Sequence, residues 1–537
     1  MINLNRREAI QVLLLVFVVA YCLISFIYFF YGYATNNPYL DDYWAVFDTI
    51  YLTDQSFGDS HRFPYVLHPN LEHIIFYTKS ISWVLHKILD KSFSLVYLML
   101  LGDLAWFGSI FFIIYKFYST LKPNLGWLGV ILLLGFSMQL HENFFWGMAS
   151  TQNLTIIFFA LLTFHFIIKK PPFYFWASLT FAVLSFLTSS PGLLVFAVGL
   201  IYLIVKRRFR RLAIWSLCFG ISSYFYIALT PSTAETKLHN LANILYFSGG
   251  ILHFEGQLWP ALIFGGLVIA FYAYYIFTSN LQKLTKLEQF ILSIVAFVGL
   301  VIVLGSLKRE DVLLSRYKVY SVLIVICGII LAYIRWENQL KKKNSAWIIL
   351  LVLGFIYNIY SITVYQYDIK KIAHYKWADA YNYYANNQFN THFNAHCNND
   401  FYIHKIQHSK TNLYKHPNIQ SLLSGFESIN QQKPIKQTRI EYRYEKTPAA
   451  CLQKIMKTSI KHDNPPADFY YLMLAGSKNH LYSVFRDRND PNFLYTEINL
   501  QYLKPENYKI YLVSEKDGIF VKRIVDTKID FTIDSSL

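Results

Sequence analysis

Arg6-Arg7, then IQVLLLVFVVAYCLISFIYFFY (residues 10–31), then Asn36-Asn37-Pro38-Tyr39-Leu40-Asp41-Asp42-Tyr43-Trp44, decide how the rest of the chain is read. About 20 consecutive apolar residues suffice to cross a bilayer core. The paired arginines ahead of the run keep the amino terminus cytoplasmic by the positive-inside rule. The run is too long for a signal-peptide core and lacks a small-residue cleavage site, so a retained anchor is expected. The acidic pair therefore emerges on the outer face, at the mouth of a helix. Two adjacent carboxylates among aromatics at a membrane boundary are costly, which makes them the first candidates for chemistry.

Working outward, the 537 residues are 54% hydrophobic, 18% aromatic and only 15% charged. A soluble chain carries about 25% charge. The deficit lies before residue 366, so a polytopic membrane protein with a polar tail is expected. Apolar runs fall at 10–31, 93–117, 124–140, 151–168, 173–189, 191–205, 212–229, 258–278, 289–306, 318–335 and 345–364. That pattern predicts a mostly α fold with about 11 transmembrane helices. Alternation from an inner N-terminus puts Lys169-Lys170, the 206–211 cluster and Lys341-Lys342-Lys343 all in the cytoplasm. The net charge of +16 is thus topology signalling and contact with anionic lipid. No groove-reading or base-stacking motif accompanies it, which argues against nucleic acid as a partner.

The same register leaves 32–92, the turn at His141-Glu142-Asn143, the loop 230–257, the turn 307–317 and everything after 365 outside. Residues 1–365 form the expected transmembrane domain, with 32–92 as its outer loop. Within that loop Leu71–Leu89 has helical apolar spacing, with Lys79, His86 and Lys87 on the other side, as in an interfacial amphipathic helix. Residues 366–537 form an expected extracytoplasmic α+β domain, helix-compatible to about residue 390. Phe469–Leu474 reads as a strand, and Tyr508–Val513 with Ile519-Phe520-Val521 reads as a hairpin around Asp517-Gly518. Cys22, Cys218 and Cys327 lie in apolar runs and are expected to pack as small hydrophobes. Cys397 and Cys451 fall in the outer tail, where an oxidising compartment permits a disulfide.

Asp41 and Asp42 can act as a general base, taking a proton from an attacking hydroxyl or amine. They can equally hold a divalent cation, or one can cap a surface helix starting at Tyr43. Asp42 is slightly preferred as base. His68, Glu72 and His73 follow on the same outer segment, suited to substrate hydrogen bonding. Their spacing differs from the zinc-protease His-Glu-x-x-His pattern. His141 and Glu142 lie where two spans meet, a place where polar residues usually face a cavity. Lys308, Arg309, Arg316 and Tyr317 occupy an outer turn leading into a span, against the charge bias of that face. A guanidinium at headgroup depth suits a bidentate grip on phosphate, with snorkelling to lipid headgroups as the alternative. Glu235, His239, His253 and Glu255 are weaker candidates for acceptor contacts.

Asp41–Trp44, Asn70–His73, the His141–Gly147 turn and Ser315–Tyr317, in this order and all on the outer side, resemble bacterial integral-membrane glycosyltransferases of the GT-C type. The resemblance covers residues 1–364. It implies transfer of a sugar from a polyprenyl-phosphate carrier to a glycan, lipid or protein acceptor, with inversion, at the outer face of a bacterial cytoplasmic membrane. The family's acidic residue of the first outer loop corresponds to Asp41 or Asp42, and its phosphate-gripping basic residue to Arg316. No cofactor is implied beyond the optional cation. A lipid-linked glycan ligase and a transporter or flippase of lipid-linked sugar are the rival expectations. A transporter calls for broken helices and intramembrane charge, of which Asp103 is the clearest case.

Overall fold

In the computed structural model the run at 10–31 lies within the helix Arg6–Tyr33. Residues 6–57, 65–69, 74–230, 242–254, 257–280, 282–309, 311–342, 346–389, 399–414, 432–435, 440–446, 454–461, 470–486, 493–499, 503, 507–516, 519–525 and 529–530 are described. Val18, Cys22, Phe26 and Phe29 recur at helical spacing and are buried, while Leu13, Ile24, Ile27 and Tyr31 are exposed. An apolar face with no protein against it is stable only in a hydrocarbon solvent. Phe26 packs edge-on against Phe107, Phe136 and Phe144, at 4.8, 6.4 and 5.4 Å between ring centres.

Among the described residues nine helices are long and apolar enough to cross a membrane. They account for nine of the eleven apolar runs. The runs at 173–189 and 191–205 form the shorter helices Pro172–Thr188 and Ser190–Val205, about 26 and 24 Å long at 1.5 Å per residue. At the joint between them a Cβ on Gly192 would lie 2.2 Å from the backbone of Ser185, so only glycine fits there.

Three of the nine are interrupted, one of them, Ser315–Leu340, at Trp336, and the other two on either side of Trp146. The stretch Leu125–Phe145 breaks at Phe136-Ser137 and resumes as a 3₁₀ turn, Met138–Leu140. After Trp146, whose backbone is extended, the chain becomes helical again, with a π-turn at Ser150–Leu154. The run at 345–364 and the helix-compatible sequence expected after it form one continuous 41-residue helix, Ala346–Asn386.

The chain divides into two compact units. The first holds residues 1–34, 52–84 and 96–367 and carries the apolar helices. The second is assembled from Thr35–Tyr51, Leu85–Leu95 and Asp368–Leu537. The helix expected at Leu71–Leu89 is seen at Phe76–Leu89. Lys79 and His86, expected on its polar side, are both buried. Lys79 Nζ donates to the His68 carbonyl at 2.9 Å and lies over the Tyr65 ring, so a local carbonyl and an aromatic face replace water.

Among the described residues the second unit contains nine strands: β1 (Gln432–Ile435), β2 (Ile440–Lys446), β3 (Lys454–Lys461), β4 (Tyr470–Ala475), β5 (Asn479–Arg486), β6 (Phe493–Asn499), β7 (Asn507–Lys516), β8 (Ile519–Val525) and β9 (Ile529–Asp530). Their order is β1-β8-β7-β4-β5-β6-β3-β2, with β9 on β7. The expected hairpin forms between β7 and β8, Lys516 opposite Ile519. Leu472, Leu474, Tyr482, Val484, Ile510 and Leu512, from β4, β5 and β7, belong to one buried apolar cluster of the sheet. Tyr471 and Met473 on the opposite face of β4 are also wholly buried. The C-terminal turns of the long helix supply that cover. Asn382 exchanges two hydrogen bonds with the Leu481 backbone, at 2.7 and 2.9 Å, and Asn386 Nδ2 donates to the Asn479 carbonyl.

Candidate functional site

Within the first unit the turn Ser315–Tyr317, leading into the span Ser315–Leu340, meets the His141–Phe145 helix. The Ser315 hydroxyl donates to the Gln139 carbonyl at 2.7 Å and accepts the Glu142 N–H at 3.2 Å. His141 Nδ1 lies 3.2 Å from the same hydroxyl and 3.3 Å from the Met138 carbonyl. The hydroxyl's one proton is already committed to Gln139. Nδ1 therefore carries a ring proton, facing these two oxygens.

Glu142 faces Arg316 twice: Oε2 accepts the Arg316 backbone N–H at 3.0 Å, and Oε1 stands 4.0 Å from Nη1. The guanidinium is one-quarter exposed, lying over Trp146 at 5.6 Å and Tyr317 at 5.2 Å. Arg309 shares that Tyr317 ring at 4.9 Å and donates to its hydroxyl. One aromatic ring thus carries two guanidiniums, each held by cation–π attraction rather than by a carboxylate alone. Lys308, at the end of the preceding helix, is exposed and takes no part in this packing.

Behind Arg316, Lys318 is buried; its Nζ donates to the His253 carbonyl at 3.0 Å and to the Tyr365 hydroxyl. Gln139 crosslinks the same region, donating to the carbonyls of Gly250, Ile251 and His253 and accepting from Tyr357. Burial, then the neighbouring Lys318 charge, pushes the His253 imidazole down to about 4. Lys318 and Gln139 were not singled out as site residues from the sequence. A lysine opening an apolar span was the available signal; Gln139 had none.

The interrupted helices hold this arrangement. Asn143 Nδ2 donates to the Arg316 carbonyl at 3.0 Å and its Oδ1 accepts from Asn153, in the π-turn, at 3.0 Å. From the same turn Ser150 donates to the Met99 carbonyl and Gln152 to Ser189. One inserted residue points three neighbouring polar side chains at three different elements, a use typical of π-bulges near functional sites.

The acidic pair belongs to the second unit. Asp42 is completely buried, and its Oδ2 accepts the Tyr39 N–H at 3.1 Å. A helical segment does start at Tyr43, yet Asp42 makes no side-chain cap to it. Its carboxylate instead interacts electrostatically with the buried Lys376. Tyr43 donates to Asp379 at 3.4 Å, and Asp48 forms an ion pair with the buried Lys405. Burial pushes the Lys405 ammonium down, opposed by its bond to Asp48 and that carboxylate's charge. Asp41 is only half-buried; its carbonyl accepts the Ala45 N–H at 2.8 Å.

His68 is exposed and stacks on Tyr65 at 5.5 Å. Glu72, His73, Glu235, His239 and Glu255 lie outside the described residues, as do Cys397 and Cys451. Among the described residues no three His, Cys, Asp or Glu side chains converge to hold a metal ion. A cation at Asp41 or Asp42 would have to draw further ligands from elsewhere. Compared with models of protein families the chain matches none, and it matches no curated protein.

Proposed function

We propose that this membrane protein is a glycosyltransferase of the GT-C type, moving a sugar from a polyprenyl-phosphate carrier to an acceptor on the outer face of a bacterial cytoplasmic membrane. The observation that carries the reading is the cationic turn at the head of the span Ser315–Leu340. Arg309 and Arg316 share the Tyr317 ring, Lys318 stands behind them, and Glu142 ties Arg316 in place. A leaving phosphate gains charge as its bond to the anomeric carbon breaks, and a pre-positioned guanidinium stabilises that charge.

The proton is assigned to Asp41. Asp42, enclosed and bonded to the Tyr39 backbone, suits a positioning role, whereas the half-buried Asp41 retains access. The acceptor's O–H or N–H proton passes to that carboxylate and the acceptor atom bonds to the anomeric carbon. The carbon–oxygen bond to phosphate breaks, and the polyprenyl phosphate departs. A single displacement inverts the centre.

The test is sugar transfer from a polyprenyl-phosphate donor by purified protein. Asp41→Asn should lose roughly 10²–10⁴ in rate while remaining folded. Asp42→Asn should instead lower thermal stability. Wild-type turnover in Asp41→Asn removes it as the base. A second reading, transport of a lipid-linked sugar, draws on Asp103. That carboxyl is buried against Ser150 of the π-turn, with Oδ2 unpartnered. Flipping of a labelled lipid-linked sugar in vesicles, abolished by Asp103→Asn, would favour it.

A further inference from the structure

At the end of the bundle assigned by the basic loops to the cytoplasm, three elements bring aromatic rings into one contact. Phe112 lies 5.1 Å from the His165 ring and 5.8 Å from Phe290, and His165 lies 6.4 Å from Phe290. Each ring has a lysine four positions away: Lys116 follows Phe112, Lys169 follows His165, and Lys286 precedes Phe290. Four residues advance a helix by about 6 Å, one turn, along the same side. The contact lies in the C-terminal half of Leu95–Leu121, in the last turn of Thr155–Ile167 and in the first turns of Lys286–Lys308. Lys116 and Lys286 therefore stand one helical turn beyond the ring contact, and Lys169, just past the end of its helix, holds its ammonium over the Phe166 and Tyr174 rings at 5.3 and 4.2 Å. Lys116 is within electrostatic reach of both Lys169 and Lys286, and His165 is within reach of Lys116 and Lys169.

More positive charge is fastened beside them. Arg208 donates to the Ile167 carbonyl at 3.0 Å, and Arg211 to the carbonyls of Lys169 and Lys170. The nearby carboxylate, Glu288, is engaged elsewhere. It accepts from the Thr285 N–H at 2.8 Å and from the hydroxyls of Thr285 and Tyr275, each at 2.7 Å. Like charges converging from three elements need an anion to offset their repulsion. Tyr115, Tyr118, Phe173 and Trp176, beside the lysines in sequence, are 45–74% exposed. Exposed aromatics at helix ends mark headgroup depth.

We propose that Lys116, Lys169 and Lys286 bind the phosphate of an anionic phospholipid. Acyl chains then lie along the exposed aromatics while the ammonium groups, from separate helices, close on the headgroup. The site is independent of the outer-face chemistry proposed above. It adds Lys116 and Lys286 to the basic loops that the charge pattern alone reveals.

The test uses full-length protein in a neutral detergent, with thermal unfolding followed against added phosphatidylglycerol, phosphatidylcholine or inorganic phosphate. Phosphatidylglycerol should raise the melting temperature; phosphatidylcholine should not, nor inorganic phosphate at matched concentration. Replacing all three lysines by Gln should weaken the phosphatidylglycerol response about 100-fold in midpoint concentration. Lys286→Gln alone, at an exposed position, relieves repulsion. It should melt no lower than wild type without lipid, yet respond more weakly to it. An unchanged response in both variants overturns the site. An equal response to phosphatidylcholine, or to inorganic phosphate, overturns the assignment to an anionic lipid.

Discussion

Gly102→Ala tests whether the π-turn is the structural support of the cationic turn. A Cβ at Gly102 would lie 2.2 Å from the Ser150 hydroxyl and 2.3 Å from its carbonyl carbon and oxygen. Two of those three atoms are backbone, so rotating a side chain cannot relieve the clash. Ordinary contact requires the helix Leu95–Leu121 and the π-turn to separate by about 1 Å. Overpacking of this kind costs about 3 kcal/mol at the upper end. Loss of the Ser150–Met99 hydrogen bond adds about 1 kcal/mol, and the helical preference of alanine returns about 1 kcal/mol. The net expectation is about 3 kcal/mol of destabilisation. Gly108 provides the control on the same helix: its Cβ would meet only the Phe158 ring edge, at 3.4 Å. Gly108→Ala should be neutral or stabilise by up to about 1 kcal/mol. Thermal unfolding of both variants in one detergent, with protease sensitivity as a second readout, gives the comparison. If the two variants melt together, the close approach of Gly102 to Ser150 does not support the fold, and the argument for the π-turn fails.

Arg316→Lys keeps the charge but loses the planar fork, so donor use should fall with insertion unchanged, and Arg316→Ala should do so more strongly; wild-type donor kinetics in both would reassign Arg316 to headgroup contact. Lys405→Met leaves Asp48 buried without its cation and should cost about 3–5 kcal/mol, whereas adding Asp48→Asn should recover most of it; a double variant as unstable as the single one contradicts the pairing. His253 is held below its ordinary value, so on acidification the unfolded chain takes up its proton first. Stability should therefore fall between about pH 6.5 and about pH 4. His253→Gln should flatten that part of a melting-temperature profile, and an unaltered profile would clear His253 of it. A cysteine at the exposed Lys509, on a cysteine-free background, should react with an impermeant thiol reagent in intact cells; labelling only after lysis would put the second unit inside.

Hydropathy made the membrane helices legible because lipid imposes one requirement on many consecutive residues. It assigned only 345–364 of Ala346–Asn386 to lipid, and the helix-compatible sequence read to about residue 390 is the continuation of that same helix. Beyond Tyr365 the helix is polar, and its side chains are satisfied by strand backbone rather than water, as Asn382 is by Leu481. Lys79 failed similarly: a carbonyl and a ring eleven and fourteen residues earlier hide its charge. The grouping of His141, Glu142 and Arg316 followed from their expected side of the membrane. The buried lysines 376 and 405 were not legible, because each is stabilised by a partner far away in sequence. Asp42 could be recognised as unusual, but not as enclosed.

The second unit's mosaic construction has a consequence for synthesis. Asn37 bonds to Tyr414 across 377 positions, and Asp48 waits for Lys405 across 357. At about 5–20 residues per second, translation takes roughly 20–70 s to cover that interval. Throughout it, the stretch bearing Asp41 and Asp42 has been made but lacks the groups that enclose it. A chain stalled or nicked before Asp368, where the last segment of the second unit begins, would hold its membrane helices yet leave Asp48 without Lys405 and Asn37 without Tyr414. Completion of the last third is therefore the step that encloses the stretch following the first membrane-length helix.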